Sequence, residues 1–305
     1  MNIPSGTQWH IEKDGHSAVV VEVGGGLRSY GVAGVSIVDG YGESEICPGS
    51  AGQVLAPWPN RIRDGRYPFG GGSYQLPLSE PEHHNAIHGL VRWLRWSLVS
   101  LEPGSVTVEC SLPPTPGYPW PLRLRTTWSV GSDGLAATHE VVNVGEAAAP
   151  FGLGVHPYIR LPGAGAADVV LSLPARSRLL TDARQLPIGA ARVDGGELDF
   201  TSPRRIGSTV LDSAYGEVGS VVSLSTVDDS SRVEVWADGA FRWWQVFTGD
   251  TLAADRARRA VAVEPMTCPP DAFRSGRDLV VLEPGAVWSG HWGLRPTLEV
   301  ADGVP

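Results

Sequence analysis

The sequence predicts an all-β protein made of packed antiparallel sheets, a sandwich or a barrel. Three observations carry that expectation. Apolar and polar residues alternate with period two in one segment after another. Between those segments, 38 glycines and 25 prolines in 305 residues supply the turns. Eleven tryptophans provide large apolar anchors, while almost no stretch has a helical period.

The alternation begins at "AVVVEV" (18–23) and returns in "SVTVECSL" (105–112) and "LRLRTTWSV" (122–130). In the last of these, Leu122, Leu124, Thr126 and Trp128 share one face, and Arg123, Arg125 and Thr127 the other, as in a half-buried strand. "DVVLSL" (168–173), "SRVEVWA" (231–237) and "RAVAVEP" (259–265) complete the series. Clusters such as "PPTPGYP" and "VGSDG" separate them. Only "TLAADRARRA" (251–260) reads as helix, and it is too short to organise a layer. No fixed-period repeat, low-complexity linker or shift in composition divides the chain. One domain over residues 1–305 is expected, with a loose tail at 300–305.

Composition narrows the function. With 42% hydrophobic and 19% charged residues the chain is not disordered. A formal charge of −9 argues against nucleic acid, since phosphate contacts need clustered Lys and Arg. Cys47, Cys110 and Cys268 are widely spaced and odd in number, which suggests neither a disulfide framework nor a metal site. The first residues show no basic and apolar leader pattern, and no apolar run approaches a membrane span. A cytoplasmic protein without nucleic-acid or membrane partners is expected, as monomer or homodimer.

Several motifs invite chemistry. "VEVGGGLRSYGV" has the glycines of a dinucleotide fingerprint, but more strand follows where a helix is required, so Gly24 to Gly26 read as a hairpin or bulge. Asn60 and Arg61 follow a Pro-Trp-Pro turn, where a planar guanidinium can fork onto hydroxyls or a carboxylate; a structural salt bridge would use the same arginine. His84 and His88 have metal-ligand spacing, yet Gly89 follows and no amphipathic helix surrounds them, so no metal is expected. His156 ends a Gly-rich strand before Pro157, whose ring forces the preceding residue into an extended conformation. A histidine held so rigidly suits acid or base work, although a buried histidine bonded to a backbone carbonyl would show the same pattern. "VAVEPMTCPPDAF" (261–273) delivers Glu264 into a proline-rich turn.

Together "NRIRDGRYPFGGGSYQL", "NAIHG", "FGLGVHPYI", "LDSAYG" and "VAVEPMTCPPDAF", in this order over residues 60–273, resemble the aldose 1-epimerase (galactose mutarotase) family. The resemblance implies a β-supersandwich with a cleft for a monosaccharide, and cofactor-free interconversion of α and β anomers. It also implies catalytic roles for Glu264, His156 and His88, and sugar binding by Arg61 and Asp212, with Asn60 and Gln245 as further binding candidates. On that reading Glu264 is the base, His156 the acid and His88 a donor near the ring oxygen, with neighbouring carboxylates keeping His156 charged. Trp58, Tyr158, Trp243, Trp244 and Phe273 are candidates to cover the sugar's apolar face, unless they fill the core instead.

One stretch departs from the pattern. "IHGLVRWLRW" lacks the double glycine of free-sugar members and is similar to the "HGFAR" pattern of hexose-6-phosphate epimerases, which turns attention to Arg92 and Arg95. The same residues would also serve a catalytically silent sugar-binding protein on this fold, or a glycosidase with Asp212 and Glu264 as its carboxylate pair.

Overall fold

The computed structural model describes residues 3–299, so the tail expected at 300–305 lies outside the described residues. Two large sheets dominate, and every strand pairing in them is antiparallel. The first has nine strands, with Ser105–Leu112, Leu122–Gly131, Gly134–Asn143, Val287–Leu298 and Ser231–Ala237 lying side by side near its centre. The second has eight, and its central run is Ser177–Thr181, Asp212–Gly216, Trp243–Phe247 and Val261–Met266. Residues 8–36 form a separate four-stranded sheet.

The alternation read from the sequence is the burial pattern of the strands. In Leu122–Gly131, Leu122, Leu124, Thr126 and Trp128 are buried and Arg123 and Arg125 exposed. The same pleat divides the eight-stranded sheet. Trp244, Val246, Val261 and Val263 face a core shared with Trp128, Val233, Leu135 and Trp292 of the nine-stranded sheet. Gln245, Phe247, Ala262 and Glu264 therefore point the opposite way, because successive side chains of a strand alternate between faces.

The segment 251–260 is not a helix but a series of turns. Arg258 has φ of 54°, which breaks any helical run, and its guanidinium donates to Asp250 at 2.7 Å and to Gly207 O at 2.6 Å. Arg259 donates to Asp39 at 2.8 Å and Arg256 to Gly40 O at 3.1 Å. Arg256 and Arg259 thus share Asp39, while Arg258 is drawn away to Asp250 and Gly207. Among the described residues the α-helix is a single turn, Ala272–Ser275. Gly24 and Gly25, both at positive φ, make the turn between His16–Val21 and Leu27–Val32, with a register shift beside it.

A buried histidine ties strands of the nine-stranded sheet together. Trp292 Nε1 donates to His139 Nε2 at 2.9 Å, which leaves the ring proton on Nδ1, where it faces Thr126 Oγ1 at 2.9 Å. Protonation would set two donors against each other, and burial, aided by His291, pushes His139 down to about 3. Its unfolded value of 6.5 lies above the folded one, so the stabilisation is complete above that pH and is lost as pH falls from 6.5 towards about 3. His139→Gln is expected to flatten the fall of the thermal midpoint across that window; unchanged pH dependence in thermal melts would contradict this role.

Candidate active site

The outward face of the eight-stranded sheet supplies its site residues by register alone. Gln245 lies directly opposite Glu264, and Asp212 opposite Phe247. Gln245 Nε2 donates to Asp212 Oδ1 across the strands. His156 comes from the break between Gly154–Val155 and Tyr158–Ile159, both paired with the strand that carries Glu264. The glycine-rich approach to it has little room for side chains: a Cβ on Gly154 would stand 2.7 Å from Pro59 Cβ.

The remaining side chains arrive on loops. Asn60 sits at φ 54° after the proline turn, and its Oδ1 accepts from Arg61 N at 2.9 Å. Arg61 begins a short strand paired with Asn85–Ile87, and His88 follows that partner at φ 61°. His88 N donates to Asn60 O at 3.0 Å, which fastens the two loops together. Gly89 must be glycine, since a Cβ there would lie 2.1 Å from Ala56 O.

All seven site residues expected from the sequence (Asn60, Arg61, His88, His156, Asp212, Gln245 and Glu264) line one cavity of about 190 Å³. His156 Nε2 lies 3.3 Å from Glu264 Oε1. The His88 and His156 rings meet edge to face at 5.5 Å, and Tyr158 stacks behind His156 at 4.9 Å with its hydroxyl donating to Gly49 O at 3.0 Å. Arg61 is forked onto Glu80, and its Nη1 stands 4.0 Å from Asp212 Oδ2. His84 pairs instead with Asp64 at the surface, at 2.9 Å, away from His88.

Burial sets the protonation states. It pushes Glu264 well above the ordinary carboxylate range, with Asp212 adding to the effect and Arg61 opposing it. Asp212 is raised too, by burial against the opposing Arg61. Burial pushes His156 down to about 3, and lowers His88 well below 6.5 with help from His156, Arg92 and Arg61. A charged His156 is therefore not what the site favours: loss of water around the ring disfavours the cation, and Arg92 adds to that. Burial thus favours the uncharged form of each group, with Glu264 and His156 3.3 Å apart.

Four polar atoms around the cavity, Glu264 Oε2, His88 Nδ1, His156 Nδ1 and Gln245 Oε1, are buried without a hydrogen-bond partner among the described residues. Buried polar atoms are rarely left so. Of the aromatic candidates only Tyr158 lines the cavity. Trp58, Trp243, Trp244 and Phe273 are core, each no more than 3% exposed. The apolar wall comes from Phe247 and Leu252, neither of which stands out in the sequence. Phe247 was reachable, being two residues beyond Gln245 on the same face, whereas Leu252 and Thr251 belong to the segment whose spacing suggests a helix, and Ser50 carries no local signal.

The fold and cleft define an all-β protein with a carboxylate and two histidines at a small polar cavity. The family model described as aldose 1-epimerase matches residues 7–295, and the chain belongs to that family. It is 34% identical to YihR, an uncharacterized protein of Escherichia coli K12, over 92% of this chain and 90% of that one. It is 27% identical to the galactose mutarotase of Mus musculus over 61% of this chain and 55% of the mouse protein. The solved aldose epimerase homologue of C. elegans has the same fold, with a TM-score of 0.86 and 18% identity over 96% and 99% of the two chains. No helix among the described residues is long and apolar enough to cross a membrane.

Ring-nitrogen NMR shifts give a direct check on the charge state. In the free protein His156 is expected to keep the shifts of a neutral imidazole from pH 8 down to about 5; a midpoint near 6.5 would show that burial does not govern the pair.

Proposed function

We propose that the chain is an aldose 1-epimerase that interconverts the α and β anomers of a free hexose, galactose or glucose, at this cavity. The observation that carries the reading is the 3.3 Å contact of Glu264 with His156 in the wall of a cavity that Asn60, Arg61, Asp212 and Gln245 also line. A hydroxyl-rich ring suits such a polar lining, because each hydroxyl both donates and accepts. The name of the mouse relative makes galactose the first sugar to try.

In the proposed cycle the carboxyl proton of Glu264 moves to His156 once sugar is bound, so that Glu264 is a carboxylate. Glu264 Oε2 takes the proton from O1, the C1–O5 bond breaks, and His156 Nε2 delivers its proton to O5. The products are an open-chain aldehyde, a protonated Glu264 and a neutral His156, the charge state that burial favours. Rotation about C1–C2 presents the other face of the aldehyde. Closure reverses both transfers: His156 removes the O5 proton as O5 attacks C1, and Glu264 returns a proton to O1. No net proton is gained or lost. His88 donates towards O5, while Arg61, Asp212, Asn60 and Gln245 hold the ring hydroxyls.

Glu264→Gln is expected to reduce the enzymatic rate in polarimetry of fresh α-D-galactose by about 10²- to 10⁴-fold. A folded variant with near wild-type relaxation would remove Glu264 from the mechanism.

One observation favours a second reading, a hexose bearing an anionic group such as hexose 6-phosphate. Arg92 is half-buried, has no carboxylate partner among the described residues, and donates to Oγ of the cavity-lining Ser50 at 3.2 Å. Arg95, by contrast, is paired with Glu22 at 2.5 Å. Under this reading Arg92→Ala raises KM for glucose 6-phosphate by about tenfold or more and affects glucose far less; equal effects on the two sugars would eliminate it.

A further inference from the structure

We infer that Glu80 is a positioning residue for the sugar site: it clamps the Arg61 guanidinium so that a single edge, Nη1, faces the cavity opposite Asp212. The inference rests on the hexose reading above and assigns a role to a residue outside the cavity lining.

Glu80 is only 8% exposed, and its carboxylate is almost fully occupied. Arg61 Nε donates to both of its oxygens, at 3.1 and 2.9 Å, and Arg61 Nη2 donates to Oε1 at 2.8 Å. Asn85 Nδ2 donates to Oε2 at 2.9 Å, and His83 Nδ1 lies 3.1 Å from Oε1. Backbone hydrogen bonds in both directions between Glu80 and Asn85, at 3.0 and 3.1 Å, fix the loop that carries the carboxylate. Asn85 is held in turn, donating to Arg184 O at 3.1 Å.

A guanidinium is planar, so fixing Nε and Nη2 fixes the direction of Nη1 as well. That edge stands 4.0 Å from Asp212 Oδ2. That separation is too long for a direct hydrogen bond, and one hydroxyl oxygen set at the apex beside both atoms can accept from Nη1 and donate to the carboxylate. Gln245 restrains the other side of the gap through Asp212 Oδ1. Without Glu80 the guanidinium is free to collapse onto Asp212, closing the space for the hydroxyl. A buried ion pair adds little stability on its own account, which makes geometry the better reason for placing one behind the site.

The test compares wild type, Glu80→Gln, Glu80→Asp and Arg61→Lys, with two readouts. In mutarotation kinetics on the hexose that wild type accelerates, both Glu80 variants are expected to raise KM about tenfold, more than they lower kcat. Adding Glu80→Gln to Arg61→Lys should produce little further change, since lysine has no fork to position. The second readout needs no activity: the Nε–H resonance of Arg61, assigned by its loss in Arg61→Lys, is expected to be sharp and slow to exchange in wild type and broadened or lost in Glu80→Gln. A wild type that accelerates no sugar while this resonance responds to Glu80→Gln would remove the hexose reading and retain the clamp. An unchanged resonance, or a lowered thermal midpoint with KM unaltered, would overturn it.

Discussion

The structure turns on the exclusion of water from one carboxylate and one imidazole. Glu264 and His156 meet at 3.3 Å with almost no exposed surface, and burial moves their proton affinities in opposite directions. Either group charged alone would be costly in such surroundings. With both uncharged the carboxyl proton lies on Glu264, and its transfer to His156 leaves the net charge unchanged. An acid and a base of this kind need no exchange with solvent during a reversible proton transfer.

The sheet that carries Glu264 provides the exclusion. One face of Trp243–Phe247 and Val261–Met266 sends Trp244, Val246, Val261 and Val263 into the main core, while the other presents Gln245 and Glu264. Small apolar clusters flank the functional face, Tyr41, Ala51, Tyr158 and Ala262 on one side and Leu179, Ala214, Trp243 and Met266 on the other. The strand-borne polar residues therefore sit in an apolar frame with their spacing set by the strand pairing. The segments bearing Arg61 and His88 are held by packing, with Ile62 and Ala86 in the main core, and by specific bonds to Glu80 and to the backbone of Asn60.

Membership of the aldose 1-epimerase family fixes the general chemistry more firmly than the sugar. Glu264 and His156 stand in a cavity that Arg61 and Asp212 also line, and Arg92 donates to the lining residue Ser50. Fold likeness alone does not choose the sugar, because one fold carries sites built from different side chains.

The strands were legible because period-two alternation is the direct consequence of a pleated sheet with one buried face, as in Leu122–Gly131 and Ser231–Ala237. The site residues were legible as motifs, since the proline and glycine turns around Asn60, His88 and His156 leave a local signature. Segment 251–260 was not, because its spacing satisfies a helix while distant partners, Asp39, Asp250 and Gly207, pull its arginines apart. The clamp of Glu80 on Arg61 joins residues 19 apart with no motif between them. The charge on His156 likewise depends on how completely the folded chain excludes water, a property of all its neighbours at once. Sequence by itself determined which residues could carry the chemistry and the alternation that makes them a sheet; only the tertiary structure decided their partners and their protonation, because hydrogen-bond geometry and desolvation exist only after distant segments meet.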